Sequence, residues 1–324
     1  MRVYYRYTKA RNGGFGVYGK AIKRNMANYG FELVEDNPDI LFTYGVPDEI
    51  IRAKKRFPDT PIVHYTVWES SKYEPNWAES IKKEGVDLVL TAGKYSQRAL
   101  ERSGIDSKVW NHAIENRWQY KERKDDDVYT FLHYNAYEWR KGWDLVFKAF
   151  IDEFDPSEPV KLVFKCRERN EGIWIRPDGQ DEVPIDHNFE ELVGHISNQA
   201  MVDMLDNADC GVFPVRGEGW FLPSFEMVAT GIPCILPNYG NMSEQFGSGY
   251  YDVELEGFIN AEPRYPGAMI EPSLSDLRNK MRYCYEHEEE GCKWAAKGSK
   301  RIHKNFNFKK IMKQLKTYFN LIIN

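Results

Sequence analysis

Along most of the chain, short apolar runs alternate with stretches of helical period. The runs at 2–7, 31–34, 40–44, 61–66, 87–91 and 108–111 predict strands, and the stretches 15–29, 48–56, 76–84 and 94–103 predict helices between them. Parallel strands need a crossover, so this alternation predicts a parallel sheet wrapped by helices. The charged stretch 120–127 (YKERKDDD) interrupts the rhythm, and a second series follows. It has strands at 129–134, 160–165, 210–214 and 233–236 and helices at 143–154, 198–207 and 224–230. Two α/β domains follow, 1–124 and 125–304, with closing helices at 275–288, 292–303 and 308–321. The stretch 167–188, with Gly172, Pro177, Gly179 and Pro184, predicts a loop or hairpin inserted in the second domain.

A length of 324 residues agrees with two cores rather than one. No apolar run is long enough to cross a bilayer, and the start, MRVYYRYTKARNGG, lacks the order of a signal peptide, so a cytoplasmic protein is expected. Five scattered cysteines predict reduced core residues, and the histidines show no metal-binding spacing. The net charge of −5 conceals a division along the chain: residues 1–124 carry 22 Lys+Arg against 16 Asp+Glu, and residues 291–324 carry nine Lys+Arg and no acid. The intervening residues carry 13 Lys+Arg against 33 Asp+Glu.

Two segments could carry chemistry. Asn12 to Gly19 (NGGFGVYG) lies between a strand and a helix, where glycines let backbone amides approach an anion. Gly14, Gly16 and Gly19 also fit the dinucleotide fingerprint, with Glu35 or Asp36 near the distance of a ribose-binding acid. In GEGWFLPSFEMVATGIPCI, Glu218 stands on a loop and Glu226 in the helix after it, with Pro223 suited to that helix's first turn. Outward amides around 221–224 and two carboxylates would suit a polyhydroxylated molecule carrying phosphate.

Residues 217–235 resemble the E-x7-E signature of retaining glycosyltransferase family 4, whose fold is the GT-B arrangement of two Rossmann-like domains facing a cleft. Other segments resemble that family in the same order: 90–104, the RKG segment at Trp139-Arg140-Lys141-Gly142, the helix-loop at 192–209 and the glycine loop Asn238-Tyr239-Gly240-Asn241. The resemblance implies that Glu226 binds the nucleotide ribose, Glu218 the donor sugar, and Lys141 with Arg140 the diphosphate. It implies that Gly13 and Gly14 approach the donor phosphates from the first domain, that the last helix, about 305–324, returns to that domain, and that no metal or other cofactor is needed. The sequence departs from the family at Asn135, where relatives carry arginine, and at Phe221, before Leu222 in the donor loop, where they carry glycine. It also departs at Tyr44, where they often carry histidine. His64 to Ser70 (HYTVWES) resembles the WE(T/S) segment of a subset of relatives, making Glu69 and His64 candidates for sugar contact. The alternative, Trp68 in the core and Glu69 as a helix-end charge, stays open. Asp125-Asp126-Asp127 resembles a metal-binding Asp-x-Asp but sits in the linker, and no metal site is predicted.

The resemblance thus implies a retaining transfer of sugar from a UDP- or GDP-sugar to an acceptor hydroxyl, and no obligate protein partner is expected. If the first domain binds acceptor, Arg2, Arg6, Lys9, Arg11, Lys20, Lys23, Arg24, Arg52, Lys54, Lys55, Arg56 and the lysine-rich tail would gather on the acceptor side. An anionic acceptor is expected, either a glycolipid at a membrane surface, which would make the protein peripheral there, or hydroxymethylated phage DNA. Two other classes stay open: an NAD(P)-dependent oxidoreductase, on the glycine fingerprint, and a catalytically idle sugar-nucleotide-binding protein, on Asn135 and Phe221.

Overall fold

The structure is a computed structural model that describes residues 1–9, 13–122, 127–168, 187–261 and 265–323. The first half runs β1 (Arg2–Tyr7), α1 (Gly14–Asn28), β2 (Glu32–Leu33), β3 (Ile40–Tyr44), α2 (Asp48–Arg56), β4 (Ile62–Thr66), α3 (Pro75–Lys83), β5 (Leu88–Thr91), α4 (Lys94–Arg102) and β6 (Ser107–Val109). These strands form one parallel sheet in the order β2-β1-β3-β4-β5-β6. β3 (ILFTY) and β4 (IVHYT) are buried at every position, as central strands covered on both faces must be.

The second half runs β7 (Tyr129–Tyr134), a 3-10 turn (Trp139–Lys141), α5 (Trp143–Glu153), β8 (Val160–Cys166), β9 (Phe189–Val193), α6 (Asn198–Asp206), β10 (Cys210–Val212), α7 (Leu222–Thr230), β11 (Cys234–Leu236), α8 (Met242–Gln245) and β12 (Tyr250–Asp252). These strands form a second parallel sheet in the order β12-β11-β10-β7-β8-β9. An antiparallel hairpin, β13 (Leu255–Asn260) and β14 (Ala268–Pro272), precedes α9 (Leu274–Glu286), α10 (Glu288–Asn305) and α11 (Phe308–Ile323).

α11 packs on the first sheet. Its Phe308, Ile311, Met312, Leu315 and Phe319 join Val3, Tyr18, Ile22, Phe42 and Trp110 in one core, and Trp110 Nε1 donates to the Ile311 carbonyl at 2.8 Å. The opposite face of the sheet, with Tyr4, Leu41 and Ile62, packs on Ile50 and Ala53 of α2, Ile81 of α3 and Leu100 of α4. Neighbours such as Ile40 and Leu41 serve opposite cores because successive strand side chains alternate.

Two of the places where the halves touch lie at the loop after β4 and at the start of α4. Ser71 N donates to the Ala268 carbonyl at 3.0 Å, Ala268 N donates back to Ser71 Oγ at 2.8 Å, and Ser70 Oγ donates to the Pro266 carbonyl at 2.7 Å, so the hairpin docks on the loop after β4. At the other place Asn241 Oδ1 accepts from Tyr95 N at 3.0 Å and Glu244 Oε1 from Lys94 N at 2.7 Å, closing the N-terminus of α4. Gly93 permits this approach, since a Cβ there would meet Asn241 Oδ1 at 2.4 Å.

The architecture agrees with the sequence expectation, with three additions: the edge strands β9 and β12 and the β13–β14 hairpin. The structure starts α7 at Leu222 rather than at 224. Residues 169–186 of the expected insertion, Arg11, and Asp125 and Asp126 at the expected boundary lie outside the described residues. Cys166, Cys210, Cys234 and Cys284 are buried free thiols, while Cys292 is only half-buried rather than core, and no described helix is long and apolar enough to cross a membrane.

Candidate functional site

The C-terminal ends of the second sheet's strands feed the loops that carry the predicted residues. After β7 the chain enters the 3-10 turn, which ends at Gly142 with φ 71°. A Cβ at Gly142 would lie 2.0 Å from the Pro214 carbonyl oxygen, so only glycine lets the turn sit this close to the strand-end loop of β10. Arg216 fixes the turn from the other side. Its amide donates to the Arg140 carbonyl at 2.8 Å, and its buried guanidinium binds the Asp144 and Glu271 carboxylates at 2.7 to 2.8 Å and the Trp139 carbonyl at 2.7 Å.

That scaffold aims Arg140 and Lys141 at one carboxylate. Arg140 Nη1 donates to Glu218 Oε1 at 2.6 Å and to the Gly217 carbonyl at 2.9 Å, and Lys141 Nζ reaches the same Oε1 at 2.5 Å. Glu138 Oε2 accepts from Arg140 Nη2 at 3.1 Å, and Glu69 of the first half completes the group at 3.9 Å. Side-chain exposure is 7% for Arg140 and Glu218, 13% for Lys141 and 17% for Glu69, so these charges interact with little screening by water. Burial pulls the Arg140 guanidinium down, but Glu218 and Glu69 outweigh it and hold it above its ordinary value. Burial and then Arg140 lower the Lys141 ammonium, while burial raises the Glu69 carboxyl against the opposing pull of Arg140.

Glu226 occupies a separate position on α7. Tyr134 at the end of β7 donates its hydroxyl to Glu226 Oε2 at 3.1 Å and to the Pro223 carbonyl at 2.8 Å. Arg117, on the connection between the sheets, acts on the same carboxylate through its charge and donates to Asn198 Oδ1 at 2.5 Å at the start of α6. Burial raises the Glu226 carboxyl to about 7, with Arg117 and Tyr134 pulling the other way.

Three buried nitrogens find no acceptor among the described residues: Arg140 Nε on the Glu218 side, Arg117 Nε on the Glu226 side, and Asn135 Nδ2 just past β7. An unsatisfied buried donor costs about 1–3 kcal/mol, so such a group is disfavoured unless a ligand rich in acceptor oxygens completes it.

The structure therefore brings Glu218, Lys141, Arg140 and Glu69 together, sets Glu226 on α7 against Tyr134 at the end of β7, and puts Asn135 just past that strand. Others lie apart. His64 is fully buried, with Nδ1 2.8 Å from Thr43 Oγ1, and burial lowers it to about 3; it is a core residue of the first sheet, not a cleft group. Tyr44 is 1% exposed and stacks on Tyr65 with ring centres 4.9 Å apart, so it too belongs to the core. Phe221 is 1% exposed, packs edge-on against Phe213 at 5.1 Å and lies under the Lys141 ammonium, 5.4 Å from its ring centre. Its amide is engaged as well, because Gln245, with its amide oriented to satisfy its neighbours, accepts from Phe221 N at 2.9 Å. Of the amides expected to face an anion, that one is withdrawn. Leu222 is half-buried at the start of α7. Gly13 is half-buried before α1 and Gly14 is exposed as its first residue, where a Cβ would meet nothing within 4 Å. Trp68 is buried as core, while Glu69 beside it lies by the Arg140 group and not at a helix end, since α3 starts at Pro75. Glu35 and Asp36, the acids of the dinucleotide fingerprint, are exposed and paired with Arg56.

Sequence reasoning missed Arg216, Arg117 and Tyr134 as parts of this region. Arg216 stands two residues before Glu218, and an arginine directly after the apolar run 210–215 was a signal that it needs buried acids. Among the described residues no group of His, Cys, Asp and Glu could hold a metal ion.

No protein-family model matches the chain, and no curated protein does. Solved structures do resemble it. HepE of Anabaena in complex with UDP-glucose superposes with a TM-score of 0.69 at 11% identity, covering 98% of this chain and 99% of that one. Sucrose-phosphate synthase from Thermosynechococcus elongatus gives 0.66 at 14% identity, covering 93% and 76%. A UDP-forming trehalose-phosphate synthase from Burkholderia xenovorans gives 0.65 at 11% identity, covering 97% and 81%. Likeness at these identities is likeness of fold, and it shows that the chain has the GT-B architecture.

Proposed function

We propose that the protein is a glycosyltransferase that moves a sugar from a nucleotide-sugar donor, a UDP- or GDP-sugar, to an acceptor hydroxyl with retention of anomeric configuration. The observation that carries this reading is the set of buried, unsatisfied N–H donors on Arg140, Asn135 and Arg117 together with two buried carboxylates. Diphosphate oxygens accept hydrogen bonds, sugar and ribose hydroxyls donate to carboxylates, and one molecule carrying both would complete both sets. In this reading Glu226 accepts from the ribose, Glu218 from the transferred sugar, and Arg140 with Lys141 binds the diphosphate. The amides at Gly13, Gly14 and Leu222 approach phosphate and sugar.

The chemistry asked of the protein is orientation and charge stabilisation. As the glycosidic bond breaks, negative charge gathers on the departing nucleoside diphosphate, and the Arg140 guanidinium and Lys141 ammonium stabilise it there. The acceptor hydroxyl attacks from the face the diphosphate leaves, passing its proton to a phosphate oxygen, so neither a protein nucleophile nor a metal is needed in this scheme. Glu69, reaching from the first half, would orient the acceptor or the sugar. HepE bound to UDP-glucose and the UDP-forming trehalose-phosphate synthase have the same fold, which supports a UDP-sugar as the first donor to try.

The test is a thermal-shift panel of UDP-sugars, GDP-sugars and NAD(P), followed by mass-spectrometric transfer assays with Glu226→Ala as control. Stabilisation by NAD(P) alone would establish the oxidoreductase instead, and sugar-nucleotide binding without hydrolysis or transfer would establish an idle binding protein. An unaltered rate in Glu226→Ala would remove the ribose role.

A further inference from the structure

The basic residues of the first half do not gather on one face. Arg6 and Arg52 bind Glu49, Arg56 binds Glu35 and Asp36, Arg2 donates to the Asp36 carbonyl and stands 3.9 Å from Glu32, and Arg24 binds Glu115. Exposed lysines stand on other helices too, Lys55 on α2 and Lys83 on α3 among them, but of the described α-helices only α1 and α11 carry lysine and no acid. Lys20 and Lys23 on the first and Lys309, Lys310, Lys313 and Lys316 on the second are all exposed, and neither helix contains an acid.

The two helices lie side by side and run in the same direction. Tyr18 of α1 stacks near Phe308 at the start of α11, with ring centres 6.4 Å apart, and Phe31 just beyond α1 meets Phe319 near its end at 5.6 Å. Their inner faces are buried in the first core, so both lysine rows look outward from one face of the sheet. At the far end of the pair three large apolar side chains are exposed: Tyr29 at 40%, Leu321 at 65% and Ile323 at 40%.

We propose that the outer face of α1 and α11 docks the protein on an anionic lipid bilayer. A lysine row alone would suit any polyanion. A bilayer interface also takes exposed apolar side chains below the level of the lysines, whereas a nucleic-acid duplex offers its phosphates and no apolar phase, so Leu321 and Ile323 select the bilayer. The docking surface stands on these residues; its consequence, that the acceptor is met at the membrane, rests on the transferase reading above.

Sedimentation of the full chain with vesicles tests it, using phosphatidylcholine alone and phosphatidylcholine mixed with phosphatidylglycerol, at low and high salt. The protein is expected to bind the mixed vesicles at low salt and to release as salt rises. Lys309→Gln with Lys313→Gln and Lys316→Gln should weaken that binding roughly 100-fold, since each lysine near such a surface contributes about a factor of five. Leu321→Ser with Ile323→Ser should weaken it with the charge unchanged, and because both side chains are exposed this variant retains its core. Absence of binding to mixed vesicles at low salt overturns the proposal, as does equal binding by the triple variant. Binding to a duplex oligonucleotide that matches vesicle binding, together with indifference to the Leu321 and Ile323 changes, overturns it in favour of nucleic acid. Thermal shifts with a UDP-sugar on the same proteins read the donor site separately: vesicle binding without a donor response supports the docking surface and removes the transferase reading.

Discussion

Arg140 and Glu218 stand 78 positions apart in sequence and 2.6 Å apart in space, with 7% side-chain exposure each. Their pairing joins the turn after β7 to the loop before α7, and it is where removal of a charge is felt first. Arg140→Met leaves Glu218 with Lys141 alone and should cost about 3–5 kcal/mol, the usual penalty for breaking a buried pair. Arg140→Met with Glu218→Gln should cost less than the two changes summed. Urea unfolding of the four proteins measures the coupling, and strict additivity would mean the pair carries no energy of its own.

Lys141 touches the same carboxylate but is less enclosed, at 13% exposure. Lys141→Gln should therefore fold, and should lower the transfer rate roughly 100-fold while moving KM much less, because its charge acts on the leaving diphosphate rather than on the bound donor. A rise in KM with kcat intact would assign it to ground-state binding instead.

Glu226 gives a pH signature. Its carboxyl is raised by burial from the ordinary 4.5 to about 7. Between those values the folded chain keeps a proton that the unfolded chain has released, so the contribution of neutral Glu226 is whole below about pH 4.5 and is lost as pH rises through 7. Glu226→Gln should thus be more stable than the parent at pH 8, by on the order of 2–3 kcal/mol, and equal to it near pH 4. Donor binding should run the other way. Ribose hydroxyls donate to the ionised form, so affinity for the donor should increase through pH 7 in the parent and stay flat in the variant. Calorimetry across that range reads both, and parallel profiles would refute the assignment.

Asn241 is fully buried and serves both halves at once, accepting from Tyr95 N at 3.0 Å while its amide nitrogen donates to Ser96 Oγ at 2.6 Å and to the Gly219 carbonyl. Asn241→Ala strips the cap from α4 and leaves several polar atoms unpaired, for a loss of about 2–3 kcal/mol in urea unfolding. It should also weaken donor binding, because Gly219 adjoins Glu218. A variant with parent stability would show that water replaces the cap.

Much of this was legible in the residues, and the reasons for the rest are physical. β3 and β4 are apolar throughout because both faces are covered, so they stand out in any window. β9 (FEELV) sits at a sheet edge, half-exposed and acidic, and looks like loop. β13 contains Gly257, and its register with β14 shifts there, so neither strand shows clean alternation. Glu218 and Glu226 could be singled out by spacing, but that they answer to different partners, one to Arg140 and Lys141 and the other to Tyr134 and Arg117, depends on where β7 and the inter-sheet connection fall in space. His64, inside β4, looks like a strand-end residue in sequence, and burial places both it and Tyr44, the last residue of β3, in the core of the first sheet.

α11 returns to the first sheet with five buried apolar side chains, and this orders the birth of the protein. Strands β1 to β6 leave the ribosome first, yet the face holding Val3, Phe42 and Trp110 keeps an open flank until residues 308–323 arrive. A first domain whose core is closed only by α11 cannot finish folding until that helix is made, so a chain stalled after α10 would present that flank to other chains and aggregate through it.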